Sequence, residues 1–183
     1  MTRDDLAALV RSIPDFPKPG ILFRDITTLI AHGEGFAHAV AELAGHARDA
    51  NAQAIAGIEA RGFIFGAAVA AQLGLGFVPV RKKGKLPVPA LAQDYALEYG
   101  TATLEIDPDA IASGERVVLI DDLVATGGTA RAAASLLERA GAVLIEVLFV
   151  IDLPDLGGAD ALRADGQAVR SLLEFPGHWT RFH

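Results

Sequence analysis

The chain has 183 residues, 51% of them apolar and 21% charged, the make-up of one globular domain long enough to bury a substantial core. A formal charge of −7 and a pI near 5.1 argue against sequence-independent nucleic-acid binding. No apolar run has bilayer-spanning length, the opening MTRDDLAALV is acidic where a signal peptide is basic, and zero cysteines exclude disulfides and thiolate chemistry, so a cytoplasmic protein with no membrane contact is expected.

In chain order, Asp4–Ser12 and Glu34–Asp49 read as helices. Ala54–Ile58 is a continuous apolar run, as in a strand covered on both faces. Phe63–Leu73 is apolar almost all round and stops at Gly74, a residue suited to the left-handed turn that ends a helix. Phe77–Val80 is a second buried strand. The Pro- and Gly-rich KKGKLPVP that follows predicts a mobile loop. Within 93–106, two alternating stretches meet at Tyr99-Gly100-Thr101, which predicts an antiparallel hairpin outside the main sheet. Val117–Ile120 and Val143–Ile151 are further buried strands, separated by a helix from Gly127 to Ala140 with Ala133, Leu136, Leu137 and Ala140 on one face. Asp152–Gly166 reads as a loop and short helix, and Ala168–Leu173 as a last strand. Strand and helix in alternation imply a mostly parallel sheet flanked by helices, with ligands bound beyond the carboxyl ends of the strands.

The most informative junction is Asp121-Asp122-Leu123-Val124-Ala125-Thr126-Gly127-Gly128-Thr129, between a strand and a helix. Its second half offers unpaired backbone N–H groups, two hydroxyls and the positive end of a helix dipole, a seat for a phosphate monoester. Two carboxylates beside a phosphate conflict unless the ligand also carries hydroxyls or a divalent cation. A ribose 5-phosphate bound lengthwise satisfies both halves, with Asp121 and Asp122 accepting from vicinal hydroxyls and helping to hold magnesium. Glu59-Ala60-Arg61-Gly62, again between strand and helix, is a second anion site in which Arg61 binds in a bidentate way. Arg81, Lys82, Lys83 and Lys85 form a basic cluster that is either a solvated face or compensation for a multiply charged leaving group. Neither a G-x-x-x-x-G-K-[ST] loop nor a G-x-G-x-x-G turn after a strand is present.

VVLIDDLVATGGTA resembles the ribose-phosphate signature of type I phosphoribosyltransferases. IPDFPKPGILFRDIT at 13–27, GIEARGFIFG at 57–66, and VRKKGKLP with YALEYGTATLEI at 80–106 are similar to the adenine phosphoribosyltransferase family. The resemblance implies one domain, with an N-terminal hood about 1–33, a core about 34–173, a flexible hairpin about 82–106 and a tail 174–183. It also implies transfer of the phosphoribosyl group from 5-phosphoribosyl 1-pyrophosphate to N9 of adenine, giving AMP and pyrophosphate, with Mg2+ as cofactor and a homodimer as the assembly.

Carried over residue by residue, the resemblance puts the 5-phosphate on Ala125, Thr126, Gly127, Gly128 and Thr129. It puts pyrophosphate near Glu59, Ala60, Arg61, Arg81, Lys82 and Lys85, with a strained peptide between Glu59 and Ala60. Ile21 and Phe23 would pack on the purine, with backbone near Leu22 and Arg24 reading its edge. Glu98 would manage the imidazole proton, beside Arg61, Asp121 and Asp122 as catalytic groups. Magnesium is expected mainly on the sugar pyrophosphate and water rather than on a protein cage. Two alternatives stay open: a transferase for 6-oxopurines, and a non-catalytic regulator that senses the sugar pyrophosphate. No ligand spacing surrounds Trp179, which reads as packing or dimer surface.

Overall fold

A computed structural model describes residues 1–97 and 100–177. Glu98, Tyr99 and Trp179 lie outside the described residues, so the readings placed on them stand as expectations.

The frame is a seven-stranded sheet. Its parallel centre comprises β3 (Ala54–Ile58), β4 (Gly76–Lys82), β7 (Arg116–Val124), β8 (Val143–Asp152) and β9 (Val169–Glu174). With the hairpin strands β5 (Leu91–Ala96) and β6 (Thr101–Ile106), the spatial order is β5-β6-β4-β3-β7-β8-β9. All five residues of β3 are buried, as a continuous apolar run requires when helices cover both faces.

Two apolar cores lie on the two faces. One gathers Leu43 and Ala47 of α3 (Gly33–Asp49) and Phe65 and Val69 of α4 (Arg61–Leu73) against Ile55, Val118 and Ile120. The other gathers Leu136 and Leu137 of α5 (Gly128–Arg139) and Leu162 of α6 (Gly158–Ala164) against Ile58, Val117 and Phe149. Gly74, at φ +67°, ends α4 in the left-handed turn its position predicts.

Two expectations change. The predicted helix Asp4–Ser12 stops early, as α1 (Arg3–Ala8), capped by reciprocal Thr2 and Asp5 hydrogen bonds. Arg11–Pro14 is instead strand β1, paired antiparallel with β2 (Leu22–Asp25). Pro14 disfavours helical dihedrals at the residue before it, and the ladder to β2 supplies the backbone partners. A short helix α2 (Thr27–Ala31) follows.

The hairpin is not outside the main sheet. Glu105 and Leu104 of β6 pair with Arg81 and Lys82 at the end of β4, which makes β5 and β6 an antiparallel edge. Leu104 and Ile106 are 1% and 0% exposed, and that apolar face holds the hairpin to the sheet. The strand ahead of the acidic pair also runs further than predicted. β7 continues to Val124, so Asp121 and Asp122 belong to the strand itself.

Candidate active site

Three strand ends set the site: β3 leads into Glu59–Gly62, β4 into the basic cluster, and β7 into Ala125–Thr129. Glu59, Ala60, Arg61, Lys82, Asp121, Asp122 and the run Ala125–Thr129 line one cleft of about 360 Å³. Neither α4 nor α5 has a side-chain N-cap, so their first-turn N–H groups remain available to an anion at the cleft. Gly127 opens α5 at φ +85°, a left-handed conformation.

Two close approaches fix the cleft walls. A Cβ on Gly62 would stand 2.6 Å from Asp121 Oδ1 and 3.0 Å from the Ile120 carbonyl, so only glycine lets α4 start this close to β7. A Cβ on Gly158 would stand 2.3 Å from the Ala125 carbonyl and 2.6 Å from the Gly127 nitrogen. Gly158 also donates its N–H to the Ala125 carbonyl at 2.9 Å, so the start of α6 braces the phosphate-type loop from behind. Sequence reasoning missed Gly158 because it sits some thirty residues beyond the loop that it touches.

The charged groups are partnered in a definite order. Arg61 Nε donates to Asp122 Oδ2 at 2.5 Å, and Asp122 is 6% exposed. Asp121 accepts the Asp122 N–H at 2.9 Å. Burial, and then the neighbouring Asp122 charge, push the Asp121 carboxyl well above the ordinary carboxylate range. A cation at the acidic pair would offset both effects.

The Glu59–Ala60 peptide is cis. The Glu59 carboxylate turns to β4, accepting the Lys82 N–H at 2.9 Å and Arg81 Nε at 3.2 Å. The Lys82 N–H and then the Arg81 guanidinium hold it below its usual range. Arg81 also donates to the Lys85 carbonyl at 3.2 Å. Of the basic cluster only Lys82 lines the cleft, and Arg81 and Lys85 brace one another beside it.

A second cavity, of about 310 Å³, opens between the N-terminal strands and the cleft. Ile13, Phe16, Phe23, Asp25, Ile26, Thr27 and Arg61 line it, and Phe16 meets Phe23 edge-on with centroids 5.1 Å apart. Phe23 therefore faces a cavity, whereas Ile21, Leu22 and Arg24 line neither space. Ile13 and Phe16 were not singled out, although both lie in the IPDFPKPG stretch that carries part of the resemblance. Arg61 is the wall common to both cavities.

For a divalent ion the protein groups are few. Among the described residues no three His, Cys, Asp or Glu side chains are grouped to hold a metal. The Asp121–Asp122 pair suits an ion whose other oxygen ligands come from a bound phosphate compound.

The parallel sheet, the acidic pair and two open helix N-termini on one cleft define a phosphoribosyl transfer fold. Residues 27–173 match the phosphoribosyl transferase domain family, which identifies the class. The chain is 67% identical over 178 residues to the adenine phosphoribosyltransferase of Novosphingobium aromaticivorans, covering 97% of this chain and 100% of that one. The solved adenine phosphoribosyltransferase of Thermoanaerobacter pseudethanolicus superposes with a TM-score of 0.90 at 45% identity, covering 95% and 100% of the two chains. That of Saccharomyces cerevisiae, complexed with an imino-altritol bisphosphate and adenine, gives a TM-score of 0.88 at 38% identity, covering 93% and 98%. The chain belongs to the adenine phosphoribosyltransferase family.

Proposed function

We propose that the cleft and the hood cavity together carry out the reaction of this family, with the roles assigned below. The reaction moves the 5-phosphoribosyl group from 5-phosphoribosyl 1-pyrophosphate to N9 of adenine, giving AMP and pyrophosphate. The observation that carries the assignment is the shared wall. Arg61 borders both the polar cleft and the apolar hood cavity, so a sugar in one and a flat base in the other meet beside its guanidinium.

The 5-phosphate takes the N–H groups and hydroxyls of Ala125–Thr129, and the ribose hydroxyls hydrogen-bond to Asp121 and Asp122. Pyrophosphate lies toward Ala60, Arg61 and Lys82. As the C1–oxygen bond breaks, its electron pair leaves with pyrophosphate, and Arg61 turns from Asp122 to that growing charge. The N9 lone pair then forms the C1–N9 bond, and the N9 proton is lost, with Glu98 the expected acceptor. Phe23 and Phe16 bound the base apolarly. Most of the rate comes from positioning and charge neutralisation, because no covalent intermediate with the protein is needed. Asp121 and Asp122, with the oxygens of the sugar pyrophosphate, would hold magnesium, which would spread the charge of the leaving group.

We further place the protein in the cytoplasm as a homodimer. No helix among the described residues is long and apolar enough to cross a membrane. The outward side of α4, where Ile64 is 40% exposed, is an apolar face suited to a second copy. Light scattering at micromolar concentration tests the dimer, and a monomer mass removes it.

The assay that tests the function offers adenine, hypoxanthine, guanine and xanthine separately with the sugar pyrophosphate, with and without magnesium. Magnesium-dependent AMP from adenine alone is expected. Product from a 6-oxopurine instead would overturn the assignment of the hood cavity to adenine.

A further inference from the structure

We propose that the Arg24 side chain is a positioning residue. It ties the base-facing strand β2 to the C-terminal segment and to the connector between β8 and α6, and adenine recognition depends on that tie.

Arg24 lines neither cavity, yet its guanidinium is held from three directions. It donates to Ser12 Oγ of β1 at 2.5 Å and to the Pro176 carbonyl at 3.0 Å, and it lies 4.6 Å over the Phe175 ring. Its Nε is buried without a hydrogen bond, a sign that the group is placed by its other contacts. The Asp155 carboxylate, in the turn that follows β8, offsets the burial of this cation. Asp155 Oδ1 also accepts the Gly177 N–H at 2.6 Å, so turn, tail and hood meet at one point. Three residues later Gly158 braces Ala125 and Gly127 from behind. One connector therefore supports the hood on one side and the phosphate loop on the other.

The hood strands are short, and β1 and β2 pair only with each other. A two-stranded ribbon is marginal alone, so its position over the cleft comes from the buried Val10 and Ile26 that flank its strands together with side-chain ties of this kind. Phe23, adjacent to Arg24, faces the hood cavity. Loss of the guanidinium frees β2 to shift the surface that meets the base, while the phosphate loop keeps its own brace.

The experiment is steady-state kinetics of the full-length protein with each substrate varied in turn. A charged hydrogen bond contributes enough that Arg24→Ala should raise the adenine KM about tenfold or more, with the sugar-pyrophosphate KM within about twofold and kcat within about threefold. Arg24→Lys keeps the charge and one donor direction and should recover part of the loss. Phe175→Leu removes the ring beneath the guanidinium while keeping an apolar side chain against the core, and should raise the adenine KM about threefold; it decides the matter if Arg24→Ala fails to fold. An adenine KM unchanged in the folded variants, or both KM values rising in equal proportion, overturns the proposal.

Discussion

Asp121 and Asp122 are adjacent in sequence, yet their surroundings differ sharply. Asp122 is 6% exposed and carries the Arg61 guanidinium at 2.5 Å, while Asp121 is raised by burial beside it. Asp122→Asn keeps shape but loses the charge that receives Arg61 and the ribose hydroxyls. It should lower kcat/KM by about two orders of magnitude with little change in melting temperature. Near-normal turnover would remove the acidic pair from the mechanism. Gly62→Ala works by volume instead, because its Cβ meets Asp121 Oδ1 at 2.6 Å. Overpacking of this kind typically destabilises by about 1–3 kcal/mol, so both a lower melting temperature and a higher sugar-pyrophosphate KM are expected in melts and kinetics. The acidic pair was legible in sequence because a strand–carboxylate–Thr/Gly–helix order is itself chemical information. Arg61's choice of partner was not, because 61 residues separate it from Asp122.

At the scale of elements, the hood is held by Leu6, Val10, Ile26 and Leu29 buried in the core and by a few polar links, and the link through Asp25 depends on pH. Hydrogen bonds from Thr27, and then from Arg11, hold the Asp25 carboxyl down to about 2 from 3.8. The folded value lies below the unfolded one, so this stabilisation is complete above about pH 4 and fades as pH falls toward 2. Asp25→Asn should therefore melt below the wild type at pH 7, and the gap should narrow between pH 4 and 2; a gap independent of pH would assign the effect to packing. On the opposite side of the cleft, Gly158→Ala pushes a methyl into the Ala125 carbonyl at 2.3 Å. The loop must move, so the sugar-pyrophosphate KM should rise about tenfold, with the adenine KM affected less, in the same two-substrate kinetics. The first half of β1, Arg11 and Ser12, was read as helix because 4–12 has helical periodicity in isolation. Its pairing with β2, across a loop containing two prolines, is a tertiary gain that local pattern does not carry.

For the whole molecule, the two cores are separable in their effect on the site. Phe65 and Phe149 are both fully buried, one on each face of the sheet. Replacing either by Ala should destabilise by about 3–5 kcal/mol while leaving base selectivity unchanged, as denaturant melts and the four-base assay would register. The strands of the parallel centre and the helices α3, α4 and α5 were legible because burial on both faces forces unbroken apolar runs, and amphipathic helices must repeat at their own period. The hairpin's place in the sheet was not, since alternation shows that a strand has a buried face and not what covers it; Leu104 and Ile106 find theirs only beside β4. The sequence by itself determined the order of elements from α3 onward, the class of chemistry at their junctions and the family. The tertiary structure alone decided which guanidinium meets which carboxylate, that Arg61 joins the two cavities, and that Gly158 and Arg24 brace them. Contacts between residues far apart in the chain follow from how the layers pack, and no local spacing encodes that.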